Sequence, residues 1–266
     1  AIAALTFGTE TIPQVYKIFG PGNQYVTAAK QLSTRFGLAI DMPAGPSEVA
    51  IYADGTASPE FVAADLLSQA EHGSDSQVVL VANSQAMIQQ VQKAIETQLA
   101  ALPRAGVASQ ALKNSVAIVL NENEAIGLLN EYGAEHLILS VSEPWRIANQ
   151  IINAGSVFLG HLTPESAGDY ASGTNHTLPT NGYAKMYSGV SLDSFVKKIT
   201  YQEISPEGLK VLGPVVEKMA EAGVTANFRN LILSAHQMGT AKMSNKPSQG
   251  VCKDTGELHA MQNLYV

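Results

Sequence analysis

The chain contains a single cysteine, Cys252, and therefore cannot form an internal disulfide. This scarcity suits a reducing compartment, and both the cytoplasm and a plastid meet that condition. Charged residues are also few, at 15% of 266, and acidic ones prevail to give a net charge of −7. Nucleic-acid binding requires clustered Lys and Arg to neutralise phosphates, so we expect no nucleic-acid partner.

The sequence also lacks an apolar run long enough to span a bilayer and any recognisable signal peptide. We therefore expect no membrane partner, although the chain starts at Ala1 without a Met, which leaves a removed targeting segment open. A hydrophobic content of 45% is typical of a globular protein with one large or two ordinary domains. A small anionic cofactor such as NAD needs only a local site and is compatible with the acidic composition.

Much of the remaining sequence alternates between β-rich and helical runs. The predicted strands are 48–53, 77–81, 116–120, 136–141 and 156–159, and the predicted helices are 59–72, 85–99, a segment around 126–129, and 144–152. This order predicts an α/β fold, with a mostly parallel sheet and helices on both faces. Such sheets bind ligands beyond the carboxyl ends of their strands, so we expect the site there.

The alternation stops between residues 160 and 188, a segment rich in Gly, Pro, Ser, Thr and Asn. We predict a long loop, and loops of this length in a compact domain tend to be functional. Helical periodicity returns between residues 193 and 222, and the stretch from about 231 is polar and without a clear period.

A possible metal site begins with Gln69 and His72, which end the predicted helix 59–72. Three residues apart, they share one helix face and place an amide oxygen beside an imidazole nitrogen. The alternative is an ordinary helix end, where His72 interacts with the helix dipole. Asp169 offers a carboxylate from the predicted loop, or else forms an Asx-turn there.

Three further features carry candidate chemistry. The neighbours Glu135 and His136 combine a carboxylate with an imidazole and suit general-base work, or else are exposed charges at a helix end. Ser47, in a rigid turn before a strand, offers a hydroxyl to a substrate, but nothing nearby makes it a triad nucleophile. The turn 20–23 precedes a helix, and its glycines would let backbone N–H groups approach a pyrophosphate, or form an ordinary tight turn.

Four ordered segments resemble histidinol dehydrogenases. They are 18–27 (IFGPGNQYVT), 41–49 (DMPAGPSEV), 65–72 (DLLSQAEH) and 168–176 (GDYASGTNH). The resemblance runs from Ala1 to about residue 225. It implies a homodimeric enzyme that uses zinc and NAD to oxidise histidinol to histidine in two steps, as part of histidine biosynthesis.

The resemblance also implies roles for individual residues. Zinc ligands that also contact the substrate are implied at Gln69, His72 and Asp169, and a further substrate contact at Ser47. It implies that His136 is a general base in contact with the substrate, and that Glu135 activates water for the second oxidation. Asn23 matches an NAD contact.

The chain departs from the family pattern in three places. Ala1 falls just after a family segment, so the family's N-terminal part is absent from this sequence. A substrate carboxylate and a fourth zinc ligand, which the family takes from a partner subunit, correspond here to Ala222 and Asn227. The tail segments 234–243 (SAHQMGTAKM) and 263–266 (NLYV) instead resemble the end of glucose-methanol-choline flavin oxidoreductases of the long-chain alcohol oxidase type, with His236 at their catalytic histidine.

Together these features predict incomplete Rossmann-like domains. Residues 1–45 would be the remaining half of an NAD-side domain, 46–190 the main α/β domain with the zinc site, 191–230 a helical C-terminal domain and 231–266 an irregular tail. Three functions are open: histidinol dehydrogenase, an inactive or weakly active remnant of that enzyme, and a related zinc- and NAD-dependent dehydrogenase of another small alcohol.

Overall fold

A computed structural model describes residues 1–225 of the chain, and side chains up to residue 219. It divides the chain into one unit from Ala1 to Lys197 and another that begins at Lys198. The division into four domains predicted from the sequence stays a prediction. No helix in the described residues is both long enough and apolar enough to cross a membrane.

The first 45 residues contain two helices and a small sheet. They form α1 (Ile2–Phe7), β1 (Lys17–Ile18), α2 (Gln24–Ser33) and β2 (Ala39–Ile40), and a 3-10 turn follows α2 at Thr34–Phe36. Strands β1 and β2 pair in parallel. A buried ion pair between Lys30 and Asp41 joins α2 to the end of β2.

The remaining elements of the first unit follow in βα order. They are β3 (Glu48–Ala53), α3 (Pro59–Ala70), β4 (Gln77–Ala82), α4 (Gln85–Leu99), α5 (Ala105–Lys113), β5 (Val116–Val119), α6 (Glu122–Tyr132), β6 (His136–Ser140), α7 (Pro144–Ala148), β7 (Ser156–Leu159) and α8 (Glu165–Tyr170). Short 3-10 turns follow at Tyr183–Lys185 and Leu192–Phe195.

Strands β3 to β7 form one parallel sheet in the order β5-β4-β3-β6-β7. Helices α3, α4 and α5 pack on one face and α6 and α7 on the other, so two apolar clusters enclose the sheet. The central strand β3 is buried along its whole length. This arrangement confirms the predicted α/β fold. Numbered along the chain, its five strands lie in the order 3-2-1-4-5, which is the order of the first five strands of a Rossmann fold.

Several helix boundaries follow from side-chain caps. Ser58 accepts a hydrogen bond from the N–H of Phe61, and Pro59 occupies the first helical position of α3. Asn121 and Glu124 form a reciprocal capping box at the start of α6. Gly133 ends α6 with φ of 62°, a conformation that glycine adopts without steric cost.

Several predicted helices differ from the structure. Helix α3 ends at Ala70 rather than His72, because the chain turns at Glu71, and α7 ends at Ala148 rather than 152. Residues 165–170 are helical, since the Gly-rich composition of 160–188 hid a short helix. The helix predicted between 193 and 222 is instead a 3-10 turn at Leu192–Phe195 and a second-unit helix, α9 (Pro206–Thr225). Helix α5, a short run of small residues, was not predicted.

Candidate metal and active site

Most of the predicted site residues meet at the amino ends of β3 and β6. Glu48 is the first residue of β3 and His136 the first of β6, and the two strands are neighbours with Val49 opposite His136. Gln69 lies in the last turn of α3, and this helix ends beside the amino ends of the strands. The expectation that the site would lie beyond the carboxyl ends of the strands was therefore wrong for these residues.

The carboxyl ends of the same strands are instead closed by hydrogen bonds. Asp54 follows β3 and accepts from the backbone N–H of Ser142, which follows β6, at 3.0 Å. His161 joins Ser140 and Thr56, with ring nitrogens 3.0 Å from each hydroxyl oxygen. These bonds occupy the crevice between β3 and β6 where a Rossmann-type ligand would bind.

Three side chains form a group that could hold a metal ion. One donor atom from each of His72, Glu165 and Asp169 lies within 4.8 Å of the others. Two of these residues had been named from the sequence, and Glu165 is an addition. Glu165 is four residues before Asp169, so both point from the same face of α8. That spacing is visible in the sequence, but only if 165–170 is recognised as a helix.

The ring of His72 has the orientation typical of a metal ligand. Its Nδ1 atom lies 2.9 Å from the carbonyl oxygen of Ser68. A ligating histidine usually donates its other ring N–H to such an acceptor, which fixes the tautomer and leaves the second nitrogen for the metal. In His72 this arrangement leaves the lone pair of Nε2 free to bind a metal ion.

The position of α8 depends on close contact with β7. A β-carbon on Gly168 would lie 2.6 Å from Cε1 of Phe158 and 2.7 Å from the hydroxyl of Thr174. Only glycine permits this approach. Because Gly168 lies between Glu165 and Asp169, the contact sets the distance of both carboxylates from His72.

Gln69 is 1% exposed, and its amide faces Glu165 and His136. One end of the amide lies 3.1 Å from each carboxylate oxygen of Glu165 and 3.3 Å from Nδ1 of His136. Both carboxylate oxygens of Glu165 can accept a hydrogen bond, so this end is the NH₂ group. The amide oxygen then points away from Glu165.

Glu135 and His136 are both buried, in contrast to the exposed charges of the alternative interpretation. Burial, together with the negative charge of Glu48, raises the pKa of Glu135 to about 8. Burial also lowers the pKa of His136 to about 4, so its ring is neutral at pH 7. The 3.7 Å contact between His136 Nδ1 and Glu135 Oε2 is therefore not an ion pair near neutrality.

The tautomer of His136 depends on two competing neighbours of Nδ1. Nδ1 accepts from the amide of Gln69, or carries the proton and donates it toward Glu135. In the second case Nε2 has a free lone pair. Among the described residues, Nε2 of His136 is the one buried side-chain polar atom without a hydrogen-bond partner. A buried polar atom without a partner is costly, which indicates a place for an exogenous group.

A second buried carboxylate, Glu48, supports Glu135. The backbone N–H of Glu48 donates to Glu135 Oε2 at 3.0 Å, and the N–H of Asn181 donates to Glu48 Oε1 at 3.0 Å. Burial raises the pKa of Glu48 to about 7 despite these bonds. Sequence reasoning missed Glu48, because a glutamate that opens an apolar strand gives no signal of its own.

The donor set fits a zinc ion. Zinc accepts imidazole nitrogen together with carboxylate oxygen, and His72, Asp169 and Glu165 offer these donors. Burial and the charge of Asp169 raise the pKa of Glu165 to about 8. Neither Glu165 nor Asp169 forms an ion pair with Lys or Arg in the described part of the chain, so a cation would neutralise this acidic group.

The other residues named from the sequence lie in different surroundings. Ser47 precedes Glu48 at the same sheet edge, and its carbonyl accepts from the N–H of Gln77 at 3.2 Å. Asn23 caps α2, with its side-chain oxygen 3.1 and 3.2 Å from the N–H groups of Tyr25 and Val26. These two N–H groups are the ones a pyrophosphate would use, so the NAD contact of Asn23 stays a prediction.

The predictions for the tail concern residues outside those that the structure describes. Asn227 and His236 lie outside the described residues, as do segments 234–243 and 263–266. Position 222 lies within α9, but its side chain is outside the described set.

Comparison with known proteins gives consistent matches over most of the chain. The family model "Histidinol dehydrogenase" matches residues 1–229. A histidinol dehydrogenase of Bacteroides thetaiotaomicron is 60% identical over 238 residues, which cover 89% of this chain and 54% of that protein. One from Yersinia pestis is 55% identical over 235 residues, or 87% of this chain and 53% of that protein.

A solved structure also matches. The crystal structure of histidinol dehydrogenase from Elizabethkingia anophelis is 61% identical, with a TM-score of 0.80, over 84% of this chain and 52% of that one. The chain thus spans about half the length of the relatives it matches. From residue 1 to residue 229, the chain belongs to the histidinol dehydrogenase family.

Proposed function

We propose that this chain carries the zinc and substrate site of a histidinol dehydrogenase, which oxidises L-histidinol to L-histidine with NAD. The observation that supports this most is the convergence of His72, which follows α3, with Glu165 and Asp169 of α8, so that one donor atom of each lies within 4.8 Å of the others. Family membership supports the substrate. The whole enzyme's activity goes beyond the half-length that the chain shares with its relatives, and is part of the proposal.

In this proposal Gln69, His72 and Asp169 hold the zinc. A bound zinc would position the amino alcohol of the substrate and stabilise negative charge on its oxygen. Ser47, at the same sheet edge, would donate a hydrogen bond to the substrate. Asn23 would contact NAD after releasing one of the two N–H groups that it caps.

His136 would take the proton of the substrate hydroxyl. Its ring is neutral at pH 7, and Nε2 is buried without a partner. If Nδ1 keeps the ring proton and directs it toward Glu135, the lone pair of Nε2 is left as the base. In each oxidation the carbon then gives a hydride, with two electrons, to NAD, and the base takes a proton.

The second oxidation requires a water molecule. Glu135 would remove a proton from the water that adds to the aldehyde, and the hydrate then gives a second hydride to NAD. A carboxylic acid with a pKa of about 8 can exchange a proton close to neutral pH. The product is the carboxylate of histidine, after two hydride transfers in total.

Measurement of zinc content and NADH formation on the purified full chain tests the proposal. We expect about one tightly held zinc per chain and NADH formation with L-histidinol. Zinc without turnover would indicate an inactive remnant, and turnover of other small alcohols alone would indicate a related dehydrogenase. A chain that holds no zinc after dialysis against a weak chelator would contradict the proposal.

The homodimer and the compartment, cytoplasm or plastid, also belong to this proposal. So does the interpretation of the tail as a fused segment without flavin activity. The family model ends at residue 229, which leaves the segments that resemble flavin oxidoreductases outside its match. Transcript sequencing across residues 220–240 tests the fusion, and a yellow purified protein would contradict the absence of flavin.

A further inference from the structure

We propose that Glu165 is a positioning residue for Gln69: its carboxylate accepts hydrogen bonds from the amide NH₂ and so directs the amide oxygen toward the metal. The inference rests on the proposed function, because it assigns Gln69 as a zinc ligand. It adds to the site a residue that the sequence motifs did not single out as functional.

The contact between Glu165 and Gln69 is close and buried. The NH₂ end of Gln69 lies 3.1 Å from both carboxylate oxygens, and each residue is 1% exposed. With water excluded, Glu165 has no competing solvent donor. A bound zinc would favour the ionised form of Glu165, and a hydrogen bond to a carboxylate is stronger than one to a neutral acceptor.

A glutamine needs such a partner in order to serve as a metal ligand. Its amide is neutral, and a half-turn about the last side-chain bond exchanges oxygen and nitrogen. An NH₂ group turned toward a cation would repel it, so the orientation has to be fixed. A carboxylate on the NH₂ side fixes the orientation and also draws electron density toward the amide oxygen, which then binds a cation more strongly.

The fold places the two residues in contact through separate elements. Gln69 comes from the last turn of α3, and Glu165 is the first residue of α8. The contact of Gly168 with Phe158 holds α8 against β7. The amide nitrogen of Gln69 lies 3.1 Å from each carboxylate oxygen of Glu165, so both of its hydrogens have an acceptor without His136.

A direct metal ligand is the competing role for Glu165. One of its oxygens lies within 4.8 Å of donor atoms of His72 and Asp169. We favour the positioning role because both carboxylate oxygens face the amide of Gln69 at equal distance. The two roles differ in the coordination number of the metal when Glu165 is removed.

A double-mutant cycle on the full chain separates these roles, with zinc affinity from a competing chelator as the measurement. In the native Gln69 background, we expect Glu165→Gln to weaken zinc binding by about 10- to 100-fold, the usual loss when an outer partner of a ligand is removed. In the Gln69→Glu background we expect Glu165→Gln to leave affinity unchanged or to raise it. A carboxylate at 69 has no N–H to orient, and two facing carboxylates repel each other.

The matched control is Glu71→Gln, which removes a negative charge next to His72. The Glu71 side chain has no hydrogen bond or ion pair in the described residues, so a loss smaller than about twofold is expected. A thermal melt of each variant by circular dichroism shows whether it is folded. Glu165→Gln keeps the native shape and remains informative if Glu165→Ala does not fold.

X-ray absorption at the zinc edge supplies the second readout. Glu165→Ala should keep the number of oxygen and nitrogen neighbours of the zinc while affinity falls. Loss of one oxygen neighbour, or an equal loss of affinity in both backgrounds of the cycle, would overturn the positioning role. If the native chain itself binds no zinc, the proposed function fails first and this inference with it.

Discussion

Gly168 packs against the ring of Phe158 so closely that residue 168 has no room for a side chain. A β-carbon there would lie 2.6 Å from Cε1 and 3.0 Å from Cζ of the ring. Ring and glycine belong to β7 and α8, and α8 carries Glu165 and Asp169. The contact therefore links sheet packing to the geometry of the candidate metal site.

Substitution of Gly168 by alanine should weaken zinc binding. The added methyl group forces α8 away from β7 and moves two carboxylates relative to His72. We expect about a tenfold or greater loss of zinc affinity and a stability loss of about 1–3 kcal/mol, the usual cost of overpacking. Chelator competition and denaturant unfolding measure the two effects.

Gly127→Ala is the matched control for this prediction. Gly127 lies inside α6, and a β-carbon there would meet nothing within 4 Å. Alanine in a helix interior should raise stability by about 0.5–1 kcal/mol and leave zinc affinity unchanged. Equal zinc affinity in Gly168→Ala and the native chain would show that α8 does not depend on this contact.

The pH dependence of folding should reveal the buried carboxylate of Glu48. Its pKa is raised to about 7 by burial, so the folded chain holds a proton that the unfolded chain releases near pH 4.5. The folded state thus binds more protons, and the free energy of unfolding falls as pH rises from about 4.5 to 7. Glu48→Gln removes this penalty and should gain up to about 3 kcal/mol at pH 8 relative to pH 5.

Neighbouring groups enter the Glu48 experiment and have to be considered. Glu135 and the hydroxyl of Tyr132 face Glu48, as do the backbone N–H groups of Asn181 and Gly182. The charge of Glu48 raises the pKa of Glu135, so part of the gain arises through Glu135. Glu96→Gln, on the exposed side of α4, is the control. A pH-independent difference between Glu48→Gln and the native chain would contradict the assignment.

The sequence alone predicted the sheet and most of its helices, because periodicity and caps such as Ser58-Pro59 are local signals. It also placed Gln69, His72 and Asp169 in one site through the resemblance. The buried partners Glu48 and Glu165 could not be predicted, since their roles arise from contacts across 87 and 96 residues of sequence with Glu135 and Gln69. The predicted location of the site was wrong, because the general rule places ligands at the carboxyl ends of parallel strands and these residues lie at the amino ends.

Removal of the His72 ring should abolish tight zinc binding, whereas removal of the His161 ring should not. His72 belongs to the candidate metal group, and His161 belongs to the hydrogen-bonded network at the opposite ends of the strands. We expect His72→Ala to lose at least about 100-fold in zinc affinity and His161→Ala to stay within about twofold. Zinc content after dialysis distinguishes them, and an equal loss in both would place the metal elsewhere.

The buried ion pair of Lys30 and Asp41 should stabilise the folded chain around the loop that carries Asn23. Lys30 and Asp41 side chains are 3% and 2% exposed, and the Lys30 ammonium also donates to the carbonyl of Gly20 at 2.7 Å. Lys30→Met leaves the Asp41 charge buried and unpaired, which typically costs about 3–5 kcal/mol. Denaturant unfolding should show this loss, and the control Lys93→Met, at an exposed position of α4, should change stability by less than about 0.5 kcal/mol.

Adding Asp41→Asn to Lys30→Met should recover a large part of the loss, because the unpaired charge is then gone. A double variant as unstable as Lys30→Met alone would show that packing of the lysine stem, and not the charge, is what stabilises this loop.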